Sequence, residues 1–231
     1  SALQQPRYGC VLNSILRVNM TEEQQNILKT GTTTIGMKIK DGVIVATDQR
    51  ATMGNLIANS AVQKLYPLAD NLAMTIAGGV GDAQLLVRWL QGQISVYCMQ
   101  KGGQMSVTTA ATLTGSAIRG LYVAPIIAGY DCTGGHVFSV DMAGGVIEDE
   151  YTSNGSGSVF AYGVLESMYK PEMSKKEGID VAITALNSAR RRDNCSGDGF
   201  LIAYIGPKGF EWIDKDAIKE RCIDLGFEYP N

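Results

Sequence analysis

At 231 residues, 45% apolar and 19% charged, the chain is long enough to bury one large core or two small ones and has an ordinary globular composition. A formal net charge of −3 leaves no broad cationic field for nucleic acid or anionic lipid. No apolar run approaches the roughly 20 residues of a membrane-spanning helix, and five widely spaced cysteines without a Cys-x-x-Cys argue against a disulfide framework or zinc site and for a reducing compartment.

Residues 1–31 differ in texture from the rest. The first 19 contain Arg7 and Arg17 without a continuous apolar region, so they do not form a secretory signal. Met20 would serve as a start codon, which would make 1–19 an extension or tag. Thr21-Glu22-Glu23-Gln24 fits a capping box and predicts a short helix over 22–28, after which Gly31 punctuates the chain. From Thr32 the pattern is β-rich. Thr32 to Lys40 is rich in β-branched residues, Asp41-Gly42 is a hairpin signal, and 42–48 reads as a buried return strand.

Shorter strands are expected at 55–58, 62–66 and 72–77. Helical spacing follows over 82–99, with Ala83, Leu86, Leu90, Ile94 and Tyr97 on one stripe, and over 106–119. Strands return at 124–130, 136–141 and 145–149. Two more helices are expected at 156–169 and 176–192, the second ending in the basic run Arg190-Arg191-Arg192. Cations are favoured at a helix C-terminus. Strands near 200–206 and 210–213 and a helix at 214–225 close the chain. Strands do not alternate singly with helices, which disfavours a doubly wound parallel sheet. The expected fold is α+β, one domain over 32–231 behind a leader, with two mainly antiparallel sheets stacked between helix pairs.

The residues narrow the chemistry. His136 is the single histidine and has no Gly-x-Ser-x-Gly elbow near it, so it reads as an ordinary strand residue. No Gly-x-x-x-x-Gly-Lys-Ser/Thr supports nucleotide binding. What remains is a hydrolase whose base is the chain's own α-amino group beside a Thr, Ser or Cys side chain. The pKa of such an amine, about 7.7–8.0, suits general-base work. This design needs the nucleophile to be residue one, so a leader must be removed.

Five blocks, in order, carry a resemblance. They are Lys29-Thr30-Gly31 before Thr32-Thr33-Thr34-Ile35-Gly36; Ala46-Thr47-Asp48-Gln49-Arg50-Ala51-Thr52 with Lys64 sixteen residues after Asp48; Thr75 to Asp82 with its glycine cluster; Ser153 to Ser158 with Tyr162 to Glu166; and Arg192-Asp193-Asn194-Cys195-Ser196-Gly197. Together they resemble proteasome β subunits of archaeal type, threonine proteases of the N-terminal-nucleophile hydrolase superfamily, over about 32–227. The resemblance implies an αββα sandwich and autocleavage between Gly31 and Thr32. It implies Thr32 as nucleophile, Lys64 as catalytic lysine with Asp48 as its partner, and the Gly78 N–H facing the oxyanion. Asp193, Ser156 and Ser196 would surround the terminal amine.

Ala51, Val62, Ile76 and Val80 would line an apolar specificity pocket, giving cleavage after hydrophobic residues, and Thr52 would pair with the substrate backbone. By the same resemblance the chain sits in two seven-membered β rings between α rings in the cytoplasm. Its partners are α subunits and other β subunits, an ATPase feeds it unfolded polypeptide, and it needs no metal or organic cofactor. Three alternatives stay open: a non-catalytic ring subunit, an amidohydrolase acting on small molecules, and a bacterial two-ring relative.

Overall fold

A computed structural model describes residues 31–53 and 56–230; the helix expected over 22–28, and the leader apart from Gly31, lie outside the described residues. Strands β1 (Thr34–Ile39) and β2 (Gly42–Asp48) form the first hairpin, followed by the short ribbon β3 (Ala51–Met53) and β4 (Leu56–Asn59), then β5 (Leu65–Ala69) and β6 (Leu72–Gly78). Helices α1 (Val80–Lys101) and α2 (Val107–Ala117) precede β7 (Val123–Asp131), β8 (Gly134–Val140), β9 (Val146–Glu148) and β10 (Tyr151–Asn154). Helices α3 (Ser158–Met168) and α4 (Lys175–Arg190) come next, then β11 (Phe200–Gly206), β12 (Gly209–Trp212) and α5 (Lys215–Asp224). The described residues thus hold five helices and two five-stranded sheets, ordered β10-β1-β2-β11-β12 and β5-β6-β7-β8-β9, with antiparallel pairing throughout.

Strand alternation shows how the sheets bury both faces. In β2, Val43 and Val45 join Ile126 and Ala128 of β7, Ala73 of β6 and Val137 of β8 in one apolar cluster. Their neighbours Ile44 and Ala46 turn the other way, into a cluster with Ala182, Ile183 and Leu186 of α4 and Ile218 of α5. On the second sheet Leu72, Met74, Ile76 and Ile127 pack with Leu86, Leu90 and Ile94 of α1 and Ala110 of α2. Gly36 shows how closely the strands from different sheets approach: a Cβ there would lie 2.9 Å from both Ile126 and Val137.

Helix ends follow local chemistry. Ser174 and Glu177 form a reciprocal capping box at the start of α4. Ser106 accepts the Thr109 N–H at the start of α2. Gly102, at φ +68°, closes α1 by donating its N–H to the Cys98 carbonyl.

The structure moves several expected boundaries. The strand expected at 62–66 begins at Leu65, because Val62 to Lys64 is irregular and Val62 gives its N–H to Gln49 instead of to a ladder. The hairpin turn is Lys40-Asp41 rather than Asp41-Gly42, while the return strand β2 keeps its expected span of 42–48. The edge strand β10 and the three-residue β3 were not expected as strands; the first is polar and the second very short, so neither has enough alternation to register.

Candidate active site

Antiparallel pairing gathers the predicted residues at one end of the two sheets. Thr34 opens β1 opposite Thr47 near the end of β2 and opposite Asn154 at the end of β10. The 193–199 loop leads into Phe200, which pairs with Asp48, and β6 ends at Gly78. Residues far apart in sequence therefore share one rim.

Asp48 is the organising charge. Its carboxylate accepts N–H bonds from Thr33 (2.9 Å), Arg50 (3.1 Å) and Gly197 (3.0 Å). Lys64 Nζ donates to both of its oxygens, at 2.9 and 3.0 Å. The side chains are 5% and 1% exposed, so the pair lies in a low-dielectric setting where each charge needs the other. Burial pushes the Lys64 ammonium below the usual lysine pKa, against the pull of Asp48. Burial also pushes the Asp48 carboxyl up, against the Lys64 charge and the N–H donors.

Thr32 is 1% exposed. Its hydroxyl donates to the Gly31 carbonyl at 2.7 Å, and Lys64 Nζ reaches the same oxygen at 3.4 Å. The Thr32 N–H donates to Ser156 Oγ at 3.1 Å, and Ser156 Oγ donates to Asp193 at 2.6 Å. Ser196 Oγ also donates to Asp193 (2.7 Å) and lies 2.7 Å from Thr33 Oγ1. No ion pair joins Asp193 to Arg190, Arg191 or Arg192 among the described residues. Its carboxylate is committed to the two serines and to the Cys195 N–H.

Space is as restricted as polarity here. A Cβ on Gly31 would run into the Cys195 side chain and come within 2.8 Å of Ser156 Oγ, one on Gly155 would strike the Thr32 carbonyl, and one on Gly157 would strike Thr33 Oγ1. A narrow pocket beside Thr32 is bordered by Lys64, Gly78, Ala51, Val62, Ile76 and Val80 together. All four predicted specificity residues therefore converge on one cavity. Thr52 does not border it; it pairs with Ile57 in the β3–β4 ribbon, and its buried hydroxyl has no hydrogen-bond partner among the described residues. His136 lies elsewhere, bonded to Glu148 and Thr133.

A family model described as "Proteasome subunit" matches residues 28–205. The chain belongs to the proteasome subunit family. Among similar relatives, "Proteasome subunit beta" of Picrophilus torridus is 45% identical over 205 residues, covering 86% of this chain and 97% of the relative. That of Thermoplasma acidophilum is 42% identical, covering 86% and 97%. That of Methanobrevibacter smithii is 42% identical, covering 82% and 94%.

This proteasome-family chain carries site residues that the sequence reading passed over. Gln63, Tyr66 and Ala83 also border the pocket. A signal existed for two of them: Tyr66 lies two residues from Lys64, and Ala83 lies three from Val80 on a helix. Arg50 binds Asp198 in a fork (2.7 and 2.8 Å) and the Asn194 carbonyl (3.1 Å). Asp198 sits at φ +58°, a conformation that few non-glycine residues adopt, Asp more often than most. No local pattern marks that pair.

Proposed function

We propose that the chain is a catalytic β subunit of a proteasome core, a threonine-type endopeptidase that activates itself by cutting between Gly31 and Thr32. One observation carries the reading: the Gly31 carbonyl receives both the Thr32 hydroxyl and the ammonium of a lysine locked to a buried aspartate. In maturation Thr32 Oγ attacks the Gly31 carbonyl carbon, the acyl group moves from nitrogen to oxygen, and water hydrolyses the ester. This frees residues 1–31 and leaves Thr32 with an α-amine.

That amine, with Ser156 and Asp193 around it, then takes the Thr32 hydroxyl proton as Oγ attacks a substrate carbonyl. Lys64 places positive charge beside the forming alkoxide, and the Gly78 N–H receives the oxyanion. Losing one such donor typically costs about 2.7–4 kcal/mol of transition-state stabilisation. The Thr32 α-amine passes that proton to the scissile nitrogen, the substrate's C-terminal fragment leaves as an amine, an ester remains on Thr32, and water hydrolyses it to release the second product.

The apolar pocket beside Thr32, with no charge but that of Lys64 among its bordering residues, supports cleavage after hydrophobic residues. The three apolar clusters, one between the sheets and one under the helices of each, support a four-layer helix–sheet–sheet–helix sandwich. Similarity to subunits named as proteasome β supports assembly with α subunits and other β subunits into stacked seven-membered rings, acting on unfolded polypeptide in the cytoplasm. The intact Asp48–Lys64 pair favours the catalytic over the purely structural role.

Intact mass after co-expression with α-type subunits tests this. The wild-type chain should lose residues 1–31 and hydrolyse a peptide with a hydrophobic residue before the cut. Thr32→Ala should keep the leader and show no turnover; processing that survives in Thr32→Ala rejects self-cleavage.

A further inference from the structure

Gly78 is held by a neighbour rather than by its own side chain. It ends β6 at φ +126°, a region open to glycine but strained for other residues. A Cβ there would strike the Tyr122 carbonyl and lie 2.9 Å from Val123 Cα, so the Gly78 backbone lies directly on the Tyr122–Val123 backbone. Tyr122 therefore abuts the Gly78 Cα and holds the peptide that follows it, while the β6–β7 pairing of Gly78 with Val123 holds the other side.

Tyr122 precedes β7, and its backbone is held at both ends. Its carbonyl accepts the Gly79 N–H at 2.8 Å. Its own N–H donates to Asp82 Oδ2 at 2.9 Å. Asp82 lies in the first turn of α1, where a carboxylate ordinarily serves its own helix N-terminus. The N-cap residue Gly79 has no side chain to offer, and Asp82 Oδ2 accepts from the residue just before β7.

We infer that Asp82 is a positioning residue: by clamping Tyr122 it sets the orientation of the Gly78 N–H that receives the oxyanion. This rests on the proposed role of Gly78. Asp82 borders neither the pocket beside Thr32 nor a second cavity lined by Gly31, Gly78, Tyr122 and Ser156, so it reaches the site through Tyr122 rather than by touching it. A misdirected donor weakens the transition state while leaving ground-state binding intact.

The test uses the full chain assembled with α-type subunits, with rates counted per subunit shown by intact mass to have lost the leader. In Asp82→Ala, kcat should fall about 10- to 100-fold with KM changed less than about twofold. Affinity for a peptide aldehyde, which forms an oxyanion on Thr32, should fall in parallel. Leader removal passes through the same kind of intermediate and should slow as well. Asp82→Asn keeps an acceptor oxygen and should restore kcat to within about threefold of wild type.

If Asp82→Ala does not assemble, Asp82→Glu, which moves the acceptor by one methylene, should show the same selective loss of kcat. An unchanged kcat, a loss equal in the Asn variant, or a rise in KM matching the loss of kcat overturns the inference. A wild-type core without turnover would take the role of Gly78 down with it, whereas an active core with an indifferent Asp82 sinks the clamp alone.

Discussion

Lys64 shows what a single buried charge demands. Its ammonium is surrounded by protein, and among the described residues the only carboxylate it bonds is Asp48, itself satisfied by three backbone N–H groups. Removing one partner strands the other in a low-dielectric site, which costs about 3–5 kcal/mol. Lys64→Ala is therefore expected to lose both leader removal and peptide hydrolysis, and to lower unfolding stability by about that amount. Chemical denaturation, read beside intact mass, checks both halves. A variant that unfolds like wild type would mean that Asp48 finds another partner. Gly31 makes the complementary point about space: no side chain fits between Cys195 and Ser156.

At the scale of elements, strand ends rather than strand interiors build the site. β2, β6 and β10 deliver Asp48, Gly78 and the Gly155-Ser156 turn with their last residues, and β1 and β11 begin just after Thr33 and Gly199. Helix α4 carries the 193–199 loop, with the Asp193 N–H bonded to the Ala189 carbonyl. Its other end is fixed by the Ser174 cap, far along the helix from that loop. Ser174→Ala should lower stability by about 1 kcal/mol and leave kcat within about twofold, since packing of Ile183 and Leu186 still holds the helix in place. Denaturant midpoints with unchanged turnover would bear this out; a large loss of turnover would show that the site depends on the far end of α4.

For the molecule as a whole, the charge network sets the response to acid. The Arg50 guanidinium beside Asp198 holds its carboxyl below the usual 3.8. Burial opposes the charge on Asp131, but the hydroxyl and N–H of Thr133 and the Val107 N–H outweigh it and lower that carboxyl as well. Glu148 is lowered in the same way by His136 and Lys38. Each group binds its proton more weakly folded than unfolded, so its contribution is complete above the unfolded value and is lost as pH falls through the folded one. Thermal midpoints should hold steady above about pH 5 and drop below about pH 4; a midpoint that rises between pH 5 and pH 3 would contradict the assignment. Asp48, raised by burial, works in the opposite sense.

Sequence alone determined most of the element order, the apolar stripes of the long helices and the five blocks that carry the resemblance, because these depend on periodicity and on contiguous residues. It also named Thr32, Asp48, Lys64, Ser156, Asp193 and Ser196. Only the tertiary structure decided that these meet, since Thr32 and Ser156 are 124 positions apart and touch only through the β1–β10 pairing. The same holds for the Arg50–Asp198 fork, the Asp82–Tyr122 clamp, and the exclusion of Thr52 from the pocket rim. Each is a long-range contact or a packing outcome with no local period to announce it, and antiparallel register is what brings such residues within hydrogen-bond reach.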